Sequence, residues 1–135
     1  MVSGQCLCGA IHYQVELIPN QVYNCHCSMC QRSHGAAFAT QVLANGNTLT
    51  FLKGEEQLSD YFSGGGYRAF CSTCGSRLMN YAEDKGQYLS VAIGCLETKE
   101  GIEPVANVCT ETRLGWCQLS DKIPAYEGIP QDILD

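Results

Sequence analysis

Apolar and polar residues alternate along the chain in short runs broken by Gly, Asn and Asp. Ile11, Tyr13, Val15 and Leu17 alternate with His12, Gln14 and Glu16, the two-residue period of a half-buried strand. Residues 38–43 and 48–52 flank Asn45-Gly46-Asn47, a spacing that predicts a hairpin. Residues 58–62 and 67–70 flank Gly64-Gly65-Gly66, which predicts a flexible turn. Residues 78–81, 88–93 and 105–113 also read as strands. One segment, residues 28–34, reads as helical, with Ser28 placed to cap it and Gly35 to end it. The pattern predicts a mainly β chain with short connections and one short helix.

Composition narrows the class. The 135 residues fit one compact domain with a real core. Hydrophobic residues make up 45% and charged residues 16%, which argues against disorder. The formal charge of −6 argues against nucleic acid or an anionic membrane surface as a partner. The start, Met1-Val2-Ser3-Gly4-Gln5-Cys6, has neither the basic nor the apolar region of a signal peptide. Residues 33–52 carry no charge, but His34, Gln41, Asn45, Asn47 and several threonines make them too polar to span a bilayer. The expected location is therefore the cytoplasm, where thiols stay reduced.

That setting changes the meaning of ten cysteines. In a reducing compartment, clustered cysteines bind metal or do chemistry; in a secreted chain the same ten would suggest a disulfide scaffold. Seven fall into three groups: Cys6 and Cys8, then Cys25, Cys27 and Cys30, then Cys71 and Cys74. In extended chain, residues i and i+2 face one side, so a C-x-C pair presents two thiolates to one ion. A C-x-x-C-G unit turns its two sulfurs together, with Gly75 free to take a positive φ; Gly9 stands in the same place after Cys8. Cys6, Cys8, Cys71 and Cys74 would complete a closed tetrahedral zinc site, and Cys25, Cys27 and Cys30 a three-ligand site with one position open. The same spacing allows Cys25 or Cys27 to join Cys71 and Cys74, leaving Cys6 and Cys8 idle.

Three stretches carry a resemblance. Gly4-x-Cys6-x-Cys8-Gly9 comes first, then Cys25-His26-Cys27-Ser28-x-Cys30-x-Arg32-x-x-Gly35-Ala36-x-Phe38, then Arg68-x-Phe70-Cys71-x-x-Cys74-Gly75-Ser76-x-Leu78. Together they resemble the glutathione-dependent formaldehyde-activating enzyme family, which includes relatives of centromere protein V. Gly94, Leu96, Pro104, Trp116, Asp121, Pro124 and Tyr126 follow in that family's order. The resemblance implies a β-tent of short antiparallel sheets stapled by zinc, formed by residues 1–135 as one domain. It implies two zinc ions per chain: a structural ion on Cys6, Cys8, Cys71 and Cys74, and a catalytic ion on Cys25, Cys27 and Cys30. The chain departs from the family pattern at Ala37, where the family has Pro, and at Asn107, where it has His. Asn cannot exchange a proton near neutrality as His can.

The activity implied is that of a carbon–sulfur lyase, joining glutathione and formaldehyde into S-(hydroxymethyl)glutathione or reversing that step. Three thiolates leave the centre electron-rich, which favours activating a substrate thiol over polarising a carbonyl. An anionic thiol substrate needs basic anchors. Arg32 and Arg68 sit beside cysteine groups, and His26 lies between two ligands; these are the candidate substrate-binding residues. The alternative is a non-catalytic zinc module that binds a partner, or a redox-active protein if metal is absent. An oligomer is compatible with the sequence. Among the other residues, His12 reads as exposed and His34 as a helix end. Cys95, Cys109, Cys117 and Trp116 read as core, although Cys109, two residues after Asn107 on the same strand face, could instead be a missing polar or metal-facing group. The triple glycine lacks the Lys-Ser/Thr and helix of a phosphate loop. Seven thiolates and two zinc ions would take the chain from −6 to −9.

Overall fold

The computed structural model describes residues 1–130. The chain divides into two compact units, each assembled from two stretches: residues 1–18 with 42–100, and residues 19–41 with the chain beyond residue 100.

The first unit is a sheet. It comprises β1 (Val2–Gln5), the start of β2 (His12–Cys25), the later part of β3 (Ala39–Lys53), β4 (Leu58–Phe62), β5 (Tyr67–Cys71), β6 (Arg77–Tyr81) and β7 (Leu89–Ala92). Their order is β1-β2-β3-β7-β6-β5-β4. β1 pairs antiparallel with β2, placing Val2 opposite Val15, and β4, β5, β6 and β7 follow as antiparallel neighbours. The expected alternation holds in β2, where Tyr13 and Val15 are buried between more exposed neighbours. In β7 all four residues are buried, as suits a strand covered on both faces.

Two turn signals had different outcomes. The triple glycine makes the β4–β5 hairpin, with Phe62 opposite Tyr67 and the Ser63 amide donating to the Gly66 carbonyl at 2.9 Å. Asn45-Gly46-Asn47 makes no hairpin, because β3 continues through it from Ala39 to Lys53. A type I′ turn needs positive φ at both central residues, and none of these three has it. The glycine serves a close approach instead. A Cβ on Gly46 would collide with the Lys85 carbonyl.

The second unit holds helix α1 (Ser28–His34), the end of β2, the start of β3, and β8 (Ala106–Val108). β8 lies parallel to β2, with Tyr23, Asn24 and Cys25 opposite Ala106, Asn107 and Val108. The helix spans the expected residues and ends at Gly35, which takes φ 60°. Its cap is Cys27 rather than Ser28: the Cys27 sulfur accepts from the Cys30 amide at 3.2 Å. The strand expected over residues 105–113 is only three residues long. Cys109 adopts φ 55°, ψ 42°, and a 3-10 turn (Thr110–Thr112) follows. Trp116, expected in the core, is 72% exposed. The Cys117 amide donates to the Leu114 carbonyl at 2.9 Å, closing a turn that buries Cys117 and leaves Trp116 outside. Among the described residues, no helix is long and apolar enough to cross a membrane.

Candidate metal centres

The first unit brings Cys6, Cys8, Cys71 and Cys74 together, with all four sulfurs within 4.8 Å of one another. Two matching turns achieve this. After β1, the Gly9 amide donates to the Cys6 carbonyl at 3.1 Å; after β5, the Gly75 amide donates to the Cys71 carbonyl at 2.8 Å. Both glycines are left-handed, at φ 78° and 79°, a conformation that a side chain would strain. The Ile11 amide donates to the Cys6 sulfur at 3.3 Å. Ser76 ties the two turns: its Oγ accepts from the Leu7 amide at 2.9 Å and lies 3.2 Å from the Cys74 sulfur.

The sulfur spacing tests whether a metal fits. A tetrahedral zinc with bonds of about 2.3 Å places its sulfurs about 3.8 Å apart. Cys6 and Cys8 are 3.6 Å apart, and Cys8 and Cys71 are 3.9 Å apart. None of the ten cysteines is in a disulfide. The protonation chemistry also suits a ligand set. The Ser76 hydroxyl and amide hold the Cys74 thiol down at about 5. Burial raises the Cys6 thiol, but the Ile11 amide and the neighbouring sulfurs outweigh it and lower the net value. Cys8 is held at about 11: the Ala10 amide lowers it, but desolvation and the other three sulfurs raise it further. Beside this cluster, a cavity of about 530 Å³ is lined by residues including Cys6, Ser76, Cys95 and Lys99. Cys95 is half-buried there and donates to the Arg77 carbonyl at 3.2 Å.

The second unit brings together Cys25, Cys27 and Cys30, again with their sulfurs within 4.8 Å of one another. Cys25 ends β2, Cys27 caps α1 and Cys30 lies in its first turn, buried. Hydrogen bonds with Cys27 and Cys30, then burial, push the Cys25 thiol far up. Taken together, the two clusters match the division into four and three, and neither mixes cysteines from the other.

His26, between two of these cysteines, is fully buried and fastened at several points. Its amide donates to the Val108 carbonyl at 3.1 Å. Its carbonyl accepts from Gln31 Nε2 at 2.8 Å and Thr112 Oγ1 at 2.9 Å. Its ring packs against Phe38, with centroids 4.9 Å apart. Nε2 lies 3.0 Å from Asn107 Oδ1, while the buried Nδ1 has no partner. Asn107 Oδ1 also accepts from Asn24 Nδ2 at 3.3 Å, and Asn24 Oδ1 accepts from Thr40 Oγ1 at 2.6 Å. With Oδ1 acting as acceptor in both contacts, Nε2 is the protonated ring nitrogen. Asn107 is thus a buried hydrogen-bond partner, a role that its place in the sequence did not suggest.

The candidate anchors are dispersed. Arg32 is exposed in the last turn of α1, two residues after Cys30. Arg68 lies on β5 in the first unit, where its Nε donates to Ser63 Oγ at 3.4 Å. His12 is partly buried, with Nδ1 3.9 Å from a Glu97 carboxylate oxygen. His34 Nε2 lies 3.2 Å from Gln41 Nε2. Cys109 is half-exposed rather than core, and its thiol is in hydrogen-bond contact with Cys25. Burial raises that thiol more than the Cys25 contact lowers it. The metal-facing alternative for Cys109 rested on a strand running on to residue 113; the sulfur instead reaches Cys25 from a left-handed residue beyond the strand, a conformation that no sequence signal marks for a cysteine.

Known proteins resemble the chain. A family model described as "Glutathione-dependent formaldehyde-activating enzyme" matches residues 1–112, which include both clusters and Cys109. A Halomonas elongata protein named "Putative glutathione-dependent formaldehyde-activating enzyme" is 31% identical over 86 residues, covering 58% of this chain and 54% of that protein. The chain thus matches about half the length of that relative. The crystal structure of a Rhodobacter sphaeroides protein is 26% identical, with a TM-score of 0.62, covering 91% of this chain and 98% of that one.

Proposed function

Because the chain belongs to the glutathione-dependent formaldehyde-activating enzyme family, we propose that it forms or cleaves the carbon–sulfur bond between a small, glutathione-like thiol and an aldehyde. The observation that carries this reading is the difference between the two clusters. Four mutually close sulfurs satisfy a tetrahedral ion, whereas three leave a position for an external ligand. Cys6, Cys8, Cys71 and Cys74 would hold a structural zinc, and Cys25, Cys27 and Cys30 a catalytic one. When bound there, zinc supplies a positive centre that favours the thiolate form of a substrate thiol at neutral pH.

The chain's own residues set the character of that centre. Three thiolates against one divalent ion leave a charge of −1, which keeps a substrate sulfur nucleophilic. His26 fixes the backbone between Cys25 and Cys27 through its amide, carbonyl and ring, so it acts as a positioning residue. Its ring is sealed from solvent, and Asn107 does not titrate. Arg32, exposed and close in sequence to Cys30, is the first candidate for a substrate carboxylate, and Arg68 the second. In the condensation the sulfur–carbon bond forms, the carbonyl π bond opens, and the thiol proton ends on the new hydroxyl.

Exchange spectroscopy on glutathione and formaldehyde tests this reading. The zinc-loaded protein should accelerate adduct formation, and Cys27→Ser should abolish the acceleration. No acceleration by the intact protein would overturn the assignment. One observation favours the alternative of a binding module: the indole of Trp116 is 72% exposed, as in a partner-binding surface. A protein that holds both zinc ions but leaves the reaction rate unchanged would support that reading.

A further inference from the structure

We propose that Cys109 supplies the fourth sulfur of the centre formed by Cys25, Cys27 and Cys30, closing it until an incoming thiol takes that position. The inference rests on the reading of those three cysteines as a metal centre. It starts from strand register. β8 runs parallel to the end of β2, with Val108 opposite Cys25, and the His26 amide donates to the Val108 carbonyl at 3.1 Å. The next residue, Cys109, is thereby delivered to the cluster. There the chain leaves the strand with φ 55°, ψ 42°, a left-handed conformation uncommon for a residue with a side chain. The result is a sulfur in contact with Cys25, and an outlier of this kind beside a reactive site suggests a functional reason.

The backbone at this point is held on both sides of the residue. The Cys109 amide donates to the Gly128 carbonyl at 2.9 Å, and its carbonyl accepts from the Thr112 amide at 3.4 Å and Thr112 Oγ1 at 3.2 Å. Thr112 Oγ1 also donates to the His26 carbonyl, which links the turn to the ligand segment. The Cys109 sulfur stands outside the group of three that lie mutually within 4.8 Å. Cys30 is buried, whereas Cys109, like Cys25 and Cys27, is half-exposed.

The exchange balances. The incoming thiol gives up its proton as its sulfur takes the fourth position, and the departing Cys109 thiolate takes up one proton. Four thiolates are present before and after, so the charge of the centre does not change.

Cobalt loading tests the proposal with a readout separate from turnover. If Cys109 is a ligand, the fully loaded protein has eight cobalt–sulfur bonds and Cys109→Ser has seven. The thiolate-to-cobalt absorption should therefore fall by about one eighth in the variant, with two cobalt ions still bound. Adding glutathione should restore the band in the variant and leave it level in the wild type. Equal bands in the two proteins, or a gain on adding glutathione to the wild type, would overturn the proposal. Zinc X-ray absorption on the unmutated protein gives the same answer without a variant: four sulfurs per zinc on average if Cys109 is bound, about 3.5 if it is not. A wild-type protein that binds only one ion would instead refute the three-cysteine centre itself.

Discussion

Replacing Asn107 with alanine should damage one centre and spare the other. Asn107 Oδ1 is the acceptor for His26 Nε2 at 3.0 Å, and the His26 ring is fully buried with Nδ1 already unpartnered. Alanine would leave an imidazole in the interior with no partner on either nitrogen. A buried neutral group left unsatisfied costs about 1–3 kcal/mol. The Asn24 amide loses the same acceptor at 3.3 Å, a weaker contact. We expect a loss of about 2–3 kcal/mol, which a urea slope of about 2 kcal/mol/M would turn into a midpoint shift of roughly 1–1.5 M. His26 also sets the backbone between Cys25 and Cys27, so zinc affinity at their centre should fall about 10–100-fold, the usual effect of losing an outer-shell partner. Chelator competition on zinc-loaded protein measures both sites in one titration. The tighter zinc, on Cys6, Cys8, Cys71 and Cys74, should be unaffected. A midpoint shift under about 0.3 M together with unchanged affinity at the weaker site would refute the reasoning.

Three further outcomes follow from the same structure. Cys74→Ala should prevent stable folding, since a structural zinc can contribute on the order of 10 kcal/mol to a small domain; circular dichroism with and without added zinc would check this. On acidification, the Cys25 centre should release its ion first. It would hold its ion by three clustered thiolates rather than four, and protons compete with the metal for each. A metal-indicator titration from pH 8 to about 5 should therefore show two steps, the first traced to the three-cysteine centre by its loss in Cys27→Ala. Gly46→Ala should destabilise the protein by about 1–3 kcal/mol, as overpacking does, because the Lys85 carbonyl occupies the space of a Cβ; thermal unfolding measures it.

What could be read from the sequence was local chemistry. C-x-C and C-x-x-C-G fix sulfur geometry within a few residues, so spacing allowed the four-and-three division without excluding others, and the sulfur positions group in that way. Helix α1 was legible for the same reason, since Gly35 and the short run before it define it locally. Even there, the cap fell to a cysteine sulfur, which no serine-based rule anticipates. The failures share a cause. Asn45-Gly46-Asn47 carries a hairpin signal, but its glycine answers to Lys85, about forty residues away in the chain. β8 stops at Val108, and the left-handed Cys109 that follows has its thiol against Cys25, which is distant in sequence. Asn107 looked like a missing proton carrier and is instead the acceptor that fixes His26. Each depends on a partner brought close only by folding.

The central claim is that the chain holds two ions in centres of different kind. Metal analysis of the purified protein and of Cys27→Ala tests it most directly. The account predicts two zinc ions per chain in the first and one in the second, with the variant still folded. One zinc in the wild type, or two in the variant, would contradict it.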